Sequence, residues 1–207
     1  WLNKTGDAVP IRDRHRGWCL RLVEQAEPAW FGPGQTAWLQ RLEQEHDNLR
    51  AALTWSCTNA AGAEAGLRLG AALWRFWDMR SYLSEGSDYL RSILSRTGAD
   101  ASPRGRARAL AVLGYLASLR GSRSEAQPAL EEAERLWRAI GDPTGLAVTL
   151  FYAGLFKAWT QAEIGPAESL LADCLRLARQ SGPEWLIYIA LMRLGDLARL
   201  RGEGARA

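Results

Sequence analysis

The fold is decided by "LGYLASLRGSRSEAQPALEEAERL", residues 113–136, because the stretch returns as "AGLFKAWTQAEIGPAESLLADCLRL", residues 153–177. Gly114 aligns with Gly154. Ala126 aligns with Ala167, one residue late after a loop insertion, and Leu130 with Leu171 and Ala133 with Cys174 follow in the new register. Another copy begins at "LGDLARLRGEGARA", residues 194–207, where Gly195 and Gly202 match Gly114 and Gly121. A degenerate copy precedes them at "LWRFWDMRSYLSEGSDYLRSIL", residues 73–94. There Trp74 takes the small-residue position, Gly86 the later small position, and Leu90 and Ile93 the apolar ones. Each copy reads as two helices, since apolar residues recur at spacings of three and four. A small residue inside the first helix lets the second cross it closely, and another small residue opens that second helix. Such a hairpin cannot bury its apolar face alone, so copies must stack.

Outward from the repeats the helical period continues. Trp38, Leu39, Leu42, His46, Leu49 and Leu53 form one stripe over residues 36–57, and Ile11, His15, Trp18, Leu22 and Ala26 another over 11–26. No alternating Val/Ile/Thr run suggests a strand, so the fold class is all-α. The breaks carry helix-end chemistry. "SP" at 102–103 and "DP" at 142–143 each set a capping side chain before a proline at the first helical position. Ser122 and Glu125 have capping-box spacing. "GP" at 32–33, 165–166 and 182–183 stops one helix and permits the next.

Composition excludes several function classes. The 207 residues are 47% apolar and 24% charged, ordinary for a globular chain with a substantial core. Net charge is only +3, and the 26 basic residues are scattered among 23 acids. There is no basic stripe of the kind a nucleic-acid surface needs. Cys19, Cys57 and Cys174 are odd in number and far apart, with no CxxC pair, which argues against a zinc site or disulfide framework and fits a reducing cytoplasm. No apolar run approaches the roughly 18 residues of a membrane span. No signal peptide is present. The chain opens without Met, and the last copy stops at Ala207, the small residue that should open its second helix. Both features predict a piece of a longer protein.

One stretch raises a chemical question. In "EQEHDNLRAAL", residues 43–53, Glu43 and His46 have the spacing of a carboxylate-bridged metal site. Such a site needs two Glu-x-x-His pairs and two further carboxylates on facing helices. The chain has two histidines, and His15 is preceded at that spacing by Arg12. A metal enzyme built on Glu43, His46 and His15 is therefore the weaker reading, and a hydrogen-bonded core histidine the stronger. "NKTG" at 3–6 lacks the glycines of a phosphate-binding loop. No nucleophile elbow or other catalytic constellation occurs. The expectation is a non-enzymatic chain with no metal and no cofactor of its own.

The repeats resemble the tetratricopeptide repeat, whose period is about 34 residues. Here the period is 40 to 41, with the excess in "AIGDPTG"-like linkers, and the likeness covers residues 64–207. Three further segments extend it: "RDRHRGWCLRLVEQAEP" (12–28), "GPGQTAWLQRLEQEHDNLRAALTW" (32–55) and "AGLRLGAALWRFWDMRSYLSEG" (65–86). Together they resemble the tetratricopeptide region of large bacterial signal-transduction ATPases that regulate transcription. Members carry a nucleotide-binding module, a winged helix, a helical lead-in and a repeat array. Many end in a LuxR-type helix-turn-helix, and others begin with a DNA-binding or cyclase domain. The resemblance implies a lead-in over 1–63 packing on repeats at about 64–103, 104–143 and 144–184 with a partial copy at 185–207. It implies an α-solenoid superhelix, with ATP handled upstream in the parent.

The family frame also implies where partners bind. Counting the small residue as position eight, positions two, five, nine and twelve of each first helix face the concave side. The degenerate copy offers Arg68, Ala71, Arg75 and Asp78; the next Arg108, Ala111, Tyr115 and Ser118. The third offers Val148, Phe151, Leu155 and Ala158 with Tyr152 and Trp159 adjacent; the last Ile189, Met192, Asp196 and Arg199 with Arg193 adjacent. Contiguous aromatics in a wet groove mark binding sites, but aromatics at helical spacing also pack neighbouring repeats, and both readings stand for Phe151 and Trp159. The expected partner is a protein, an amphipathic peptide or a small inducer, together with other domains of the parent chain and a second copy in a homo-oligomer. Neither nucleic acid nor membrane is expected to touch this region. The resulting expectation is a cytoplasmic sensor and scaffold arm of an ATP-dependent transcriptional regulator. The alternative is a stand-alone repeat adaptor.

Overall fold

The structure, a computed structural model, describes residues 8–58, 62–96, 102–159 and 163–202, and all its regular elements there are helices. The fold class is all-α, built from helical-hairpin repeats as the periodicity predicts. The chain divides into two compact units, Trp1–Ala109 and Leu110–Ala207.

The N-terminal unit holds α1 (Ala8–Ala26), a 3-10 turn (Glu27–Ala29), α2 (Gln35–Gln44), α3 (His46–Thr58), α4 (Ala63–Ala72), α5 (Trp74–Met79), α6 (Leu83–Arg96) and the start of α7 (Pro103–Leu119). Its core includes Val23, Leu42, Leu49, Leu53, Leu67, Phe76, Trp77 and Leu90. Three expectations change here. The stripe over 36–57 is interrupted at Glu45, whose backbone stands at φ −96° and ψ 7°, so two helices share it. The buried face of α1 is Arg16, Cys19, Leu20, Leu22, Val23 and Ala26, while Ile11 and Trp18 are more than a third exposed. Both faces fit a 3.6 period, and the helices packed on α1 select between them. The small residue of the degenerate copy is Gly70 rather than Trp74. A Cβ at Gly70 would stand 2.8 Å from Leu90 Cδ2. The register moves because the chain bends at Leu73, between α4 and α5.

The C-terminal unit takes the rest of α7, then α8 (Arg123–Ile140), α9 (Pro143–Ala158), α10 (Ile164–Ser181) and α11 (Glu184–Leu200). Its hairpins close on glycine. A Cβ at Gly114 would lie 2.6 Å from Leu130 Cγ, and one at Gly154 2.8 Å from Leu171 Cγ. Leu171 is fully buried and Leu130 nearly so, and truncating either to Ala costs about 2–5 kcal/mol. Trp137 of α8 lies against Gly145 of α9, where a Cβ would come within 2.5 Å of its ring, so one hairpin seats on the next.

Helix ends follow local chemistry. The Asp142 carboxylate accepts from the backbone N–H groups of Thr144 and Gly145, both at 3.0 Å, with Pro143 opening α9. Ser102 Oγ accepts from Gly105 N at 2.9 Å and donates to Glu64 Oε1, also at 2.9 Å. Gly141 ends α8 at φ +73°, a left-handed conformation that glycine adopts without a Cβ penalty. Ser122 is the residue before α8, but its side chain makes no capping bond, and Glu125 pairs with Arg120 at 3.5 Å. Gly182 and Pro183 separate α10 from α11 as expected, whereas Gly165 and Pro166 lie within the first turn of α10.

Candidate binding surfaces

The "EHDNLR" stretch becomes a polar tie between helices. His46 is buried, and its Nε2 lies 2.6 Å from Glu85 Oε1 on α6. Arg50, one turn along α3, donates to the other oxygen of that carboxylate from Nε at 2.9 Å and from Nη2 at 2.6 Å. This hydrogen bond raises the Arg50 pKa further, so the cation is permanent. Tyr82 packs its ring 4.4 Å from the His46 ring and donates its hydroxyl to Glu43 Oε1 at 2.7 Å, which pushes the phenol pKa up. Arg80 Nε adds an ion pair to Glu43 at 3.2 Å. His15 takes a separate partner, Asn48 Oδ1 at 3.3 Å. Among the described residues no three His, Cys, Asp or Glu side chains gather as a metal-ligand set. Glu43 and His46 thus take different hydrogen-bond partners, Tyr82 and Glu85. Sequence reasoning missed Glu85, whose only local signal is a polar helix start.

Two grooves flank α3. One, of about 360 Å³, is lined by Arg12, His15, Ala51, Thr54, Trp55 and Thr58. Within it the Arg12 guanidinium stands 4.9 Å over the centre of the Trp55 ring, and Asp13 accepts from the indole N–H at 2.8 Å. The other, of about 510 Å³, is lined by Thr54, Cys57, Glu85, Asp88, Tyr89 and Ser92.

The residues expected to face a groove divide by burial. In the N-terminal unit Arg75 and Asp78 are brought together, Nη1 to Oδ2 at 2.9 Å, with the guanidinium 5.1 Å over the Phe31 ring. Arg108 pairs with Glu27. In the C-terminal unit Tyr115 stacks on Tyr152 with ring centres 4.5 Å apart, and Phe151 tilts against Tyr152 at 6.0 Å. All three rings are buried, so of the two readings left open packing accounts for Phe151. Trp159 differs, with half its surface exposed at the end of α9. Leu155 is half-buried and Met192 exposed. Arg193 and Arg199 both turn onto Asp196, the first at 3.3 Å.

These features define an all-α helical-repeat protein whose exposed surface mixes arginine–carboxylate pairs with a few large apolar side chains. No family model matches the chain. It is 29% identical over 196 residues to a Mycobacterium bovis protein named "Putative HTH-type transcriptional regulator", and equally to two Mycobacterium tuberculosis proteins of the same description. The alignment covers 90% of this chain and 22% of each relative, so the chain spans about a fifth of their length. Among the described residues no helix is long and apolar enough to cross a membrane.

Proposed function

We propose that this chain is a non-enzymatic sensor and scaffold module of a bacterial transcriptional regulator that uses ATP in another part of its chain, within the cytoplasm. The observation that carries the reading is the alignment of 90% of the chain with proteins named as transcriptional regulators. Stacked hairpins suit such a role, because each repeat contacts only its neighbours and a ligand at one seam can shift the packing of the next. The proposed contact surface is the exposed part of the C-terminal unit around Trp159, Met192 and Arg193, and its partner is a peptide, a protein domain or a small inducer.

The test uses the full-length protein encoded by the surrounding reading frame. DNA binding is measured with and without ATP, and transcription from a bound promoter is compared between the natural protein and a Trp159→Ala, Arg193→Ala variant. Retained DNA binding with a lost transcriptional response supports the reading. A full-length protein that binds no DNA overturns it in favour of a repeat adaptor.

A further inference from the structure

The groove of about 360 Å³ lined from α1 and α3 carries one uncommitted charge. Its volume falls within the range of small-molecule sites, about 300–1,000 Å³. Most of its polar lining is already partnered within the fold. His15 Nε2 lies 3.3 Å from Asn48 Oδ1, and the imidazole stacks on Trp18 with ring centres 6.3 Å apart. Thr54 Oγ1 lies 3.2 Å from the Tyr89 hydroxyl, and Thr58 Oγ1 donates to the Trp55 carbonyl at 2.8 Å. The Trp55 indole N–H is taken by Asp13 Oδ1, and Arg16 pairs with that same oxygen at 2.9 Å. The charges of Asp13 and Arg16 therefore offset each other, and the bond from the indole fixes the Trp55 ring.

Arg12 is the exception. It is exposed, its guanidinium lies over the Trp55 ring, and among the described residues it makes no hydrogen bond or ion pair. Stacking uses the face of a guanidinium and leaves the N–H groups on its edge free, in the fork that fits a carboxylate. It also restrains a long side chain in advance, so less rotamer freedom is lost when an anion arrives. Among the described residues no other lysine or arginine lines the groove. A single cation matches the single charge of a carboxylate, not the two charges of a phosphate monoester.

We propose that this groove binds a small organic monocarboxylate, with the carboxylate on the edge of Arg12 and a compact apolar body against Ala51 and the Trp55 side chain. The site belongs to the N-terminal unit and does not depend on a role in transcription.

Benzoate is the probe, titrated into the 207-residue chain at about 0.15 M salt so that diffuse surface charge is screened. The readout is the nuclear magnetic resonance signal of the Trp55 indole N–H, assigned by its loss in Trp55→Phe. A saturable shift is expected with a Kd of about 1 mM, the scale for a ligand of this size. Benzamide, which has the same shape without the charge, should give none. Arg12→Gln should weaken benzoate at least about tenfold, whereas Arg14→Gln, on the same helix but outside the groove, should bind as the natural chain does. Circular dichroism confirms that the variants are folded. A shift that does not saturate, or an equal response to benzamide, overturns the proposal. So does an Arg12→Gln protein that binds unchanged, or an Arg14→Gln protein that loses as much. Tighter binding of phenyl phosphate than of benzoate overturns the carboxylate assignment.

Discussion

His46 and Glu85 lie thirty-nine residues apart in sequence and 2.6 Å apart in space, Nε2 to Oε1, and Arg50 closes on the other oxygen of the same carboxylate. Both acceptor atoms of Glu85 are thereby committed to α3. A side chain only 19% exposed cannot replace two such bonds with water at no cost.

Glu85→Ala should therefore destabilise the fold by about 2–3 kcal/mol, since it strands a buried histidine and an arginine together. His46→Ala should cost less, about 1–2 kcal/mol, because Arg50 still serves the carboxylate. Urea unfolding checks both. An equal or reversed order would mean that Arg50 and Glu85 do not interact in solution.

The three aligned glycines should respond differently to the same substitution. Ala gains about 1 kcal/mol over Gly inside a helix. At Gly114 that gain is opposed by a Cβ 2.6 Å from Leu130 Cγ and 3.2 Å from the Ala126 carbonyl, which belongs to backbone and cannot swing away. Overpacking of this kind costs about 1–3 kcal/mol, so Gly114→Ala should lose about 1 kcal/mol net, and Gly154→Ala about the same. Gly195→Ala meets nothing and should gain about 1 kcal/mol in the 207-residue chain. Thermal melts of the three variants give the signs directly.

What the sequence showed of this architecture, and what it hid, divides by range. The hairpins were legible because Gly114 and Leu130 are close in sequence and repeat as Gly154 and Leu171. The bends at Glu45 and Leu73 were not, because neither position carries a glycine or proline and the apolar stripes run through both. The shift of the small position from Trp74 to Gly70 follows from that second bend. The Glu85 tie was hidden for another reason. Its partners lie on a different helix, and no local pattern distinguishes a carboxylate that receives a histidine from one that caps a helix. Phe151 and Trp159 are of one residue class, the first within α9 and the second at its end, and no local pattern in the sequence says that the first is buried and the second exposed.

The buried thiols predict an alkaline limit to stability. Burial pushes Cys19 up to about 12, helped by the charge of Glu45, and burial alone pushes Cys174 up to about 12. The unfolded chain releases these protons near 9.0, so the folded state holds them longer. Their contribution is complete below pH 9 and is lost between pH 9 and 12, at up to about 1.4 kcal/mol per pH unit for each thiol. Replacing both by Ala should flatten that part of the melting-temperature profile. At pH 8 an aromatic disulfide reagent should modify one thiol quickly, Cys57, which is only partly buried, and the other two only on unfolding.

Phe151 and Trp159 give the sharpest separation of packing from recognition. Phe151 is 5% exposed and lies against Tyr152, which in turn stacks on Tyr115. Phe151→Ala empties that ring cluster and should cost about 3–5 kcal/mol, with a visible fall in melting temperature. Trp159 is 52% exposed, and Trp159→Ala should change stability by no more than about 0.5 kcal/mol. If the exposed end of α9 contacts a partner, Trp159→Ala will weaken capture while circular dichroism and melting stay as they were. A Trp159→Ala protein that melts early would place this side chain with Phe151, in packing, and move the search for a partner site to the grooves flanking α3.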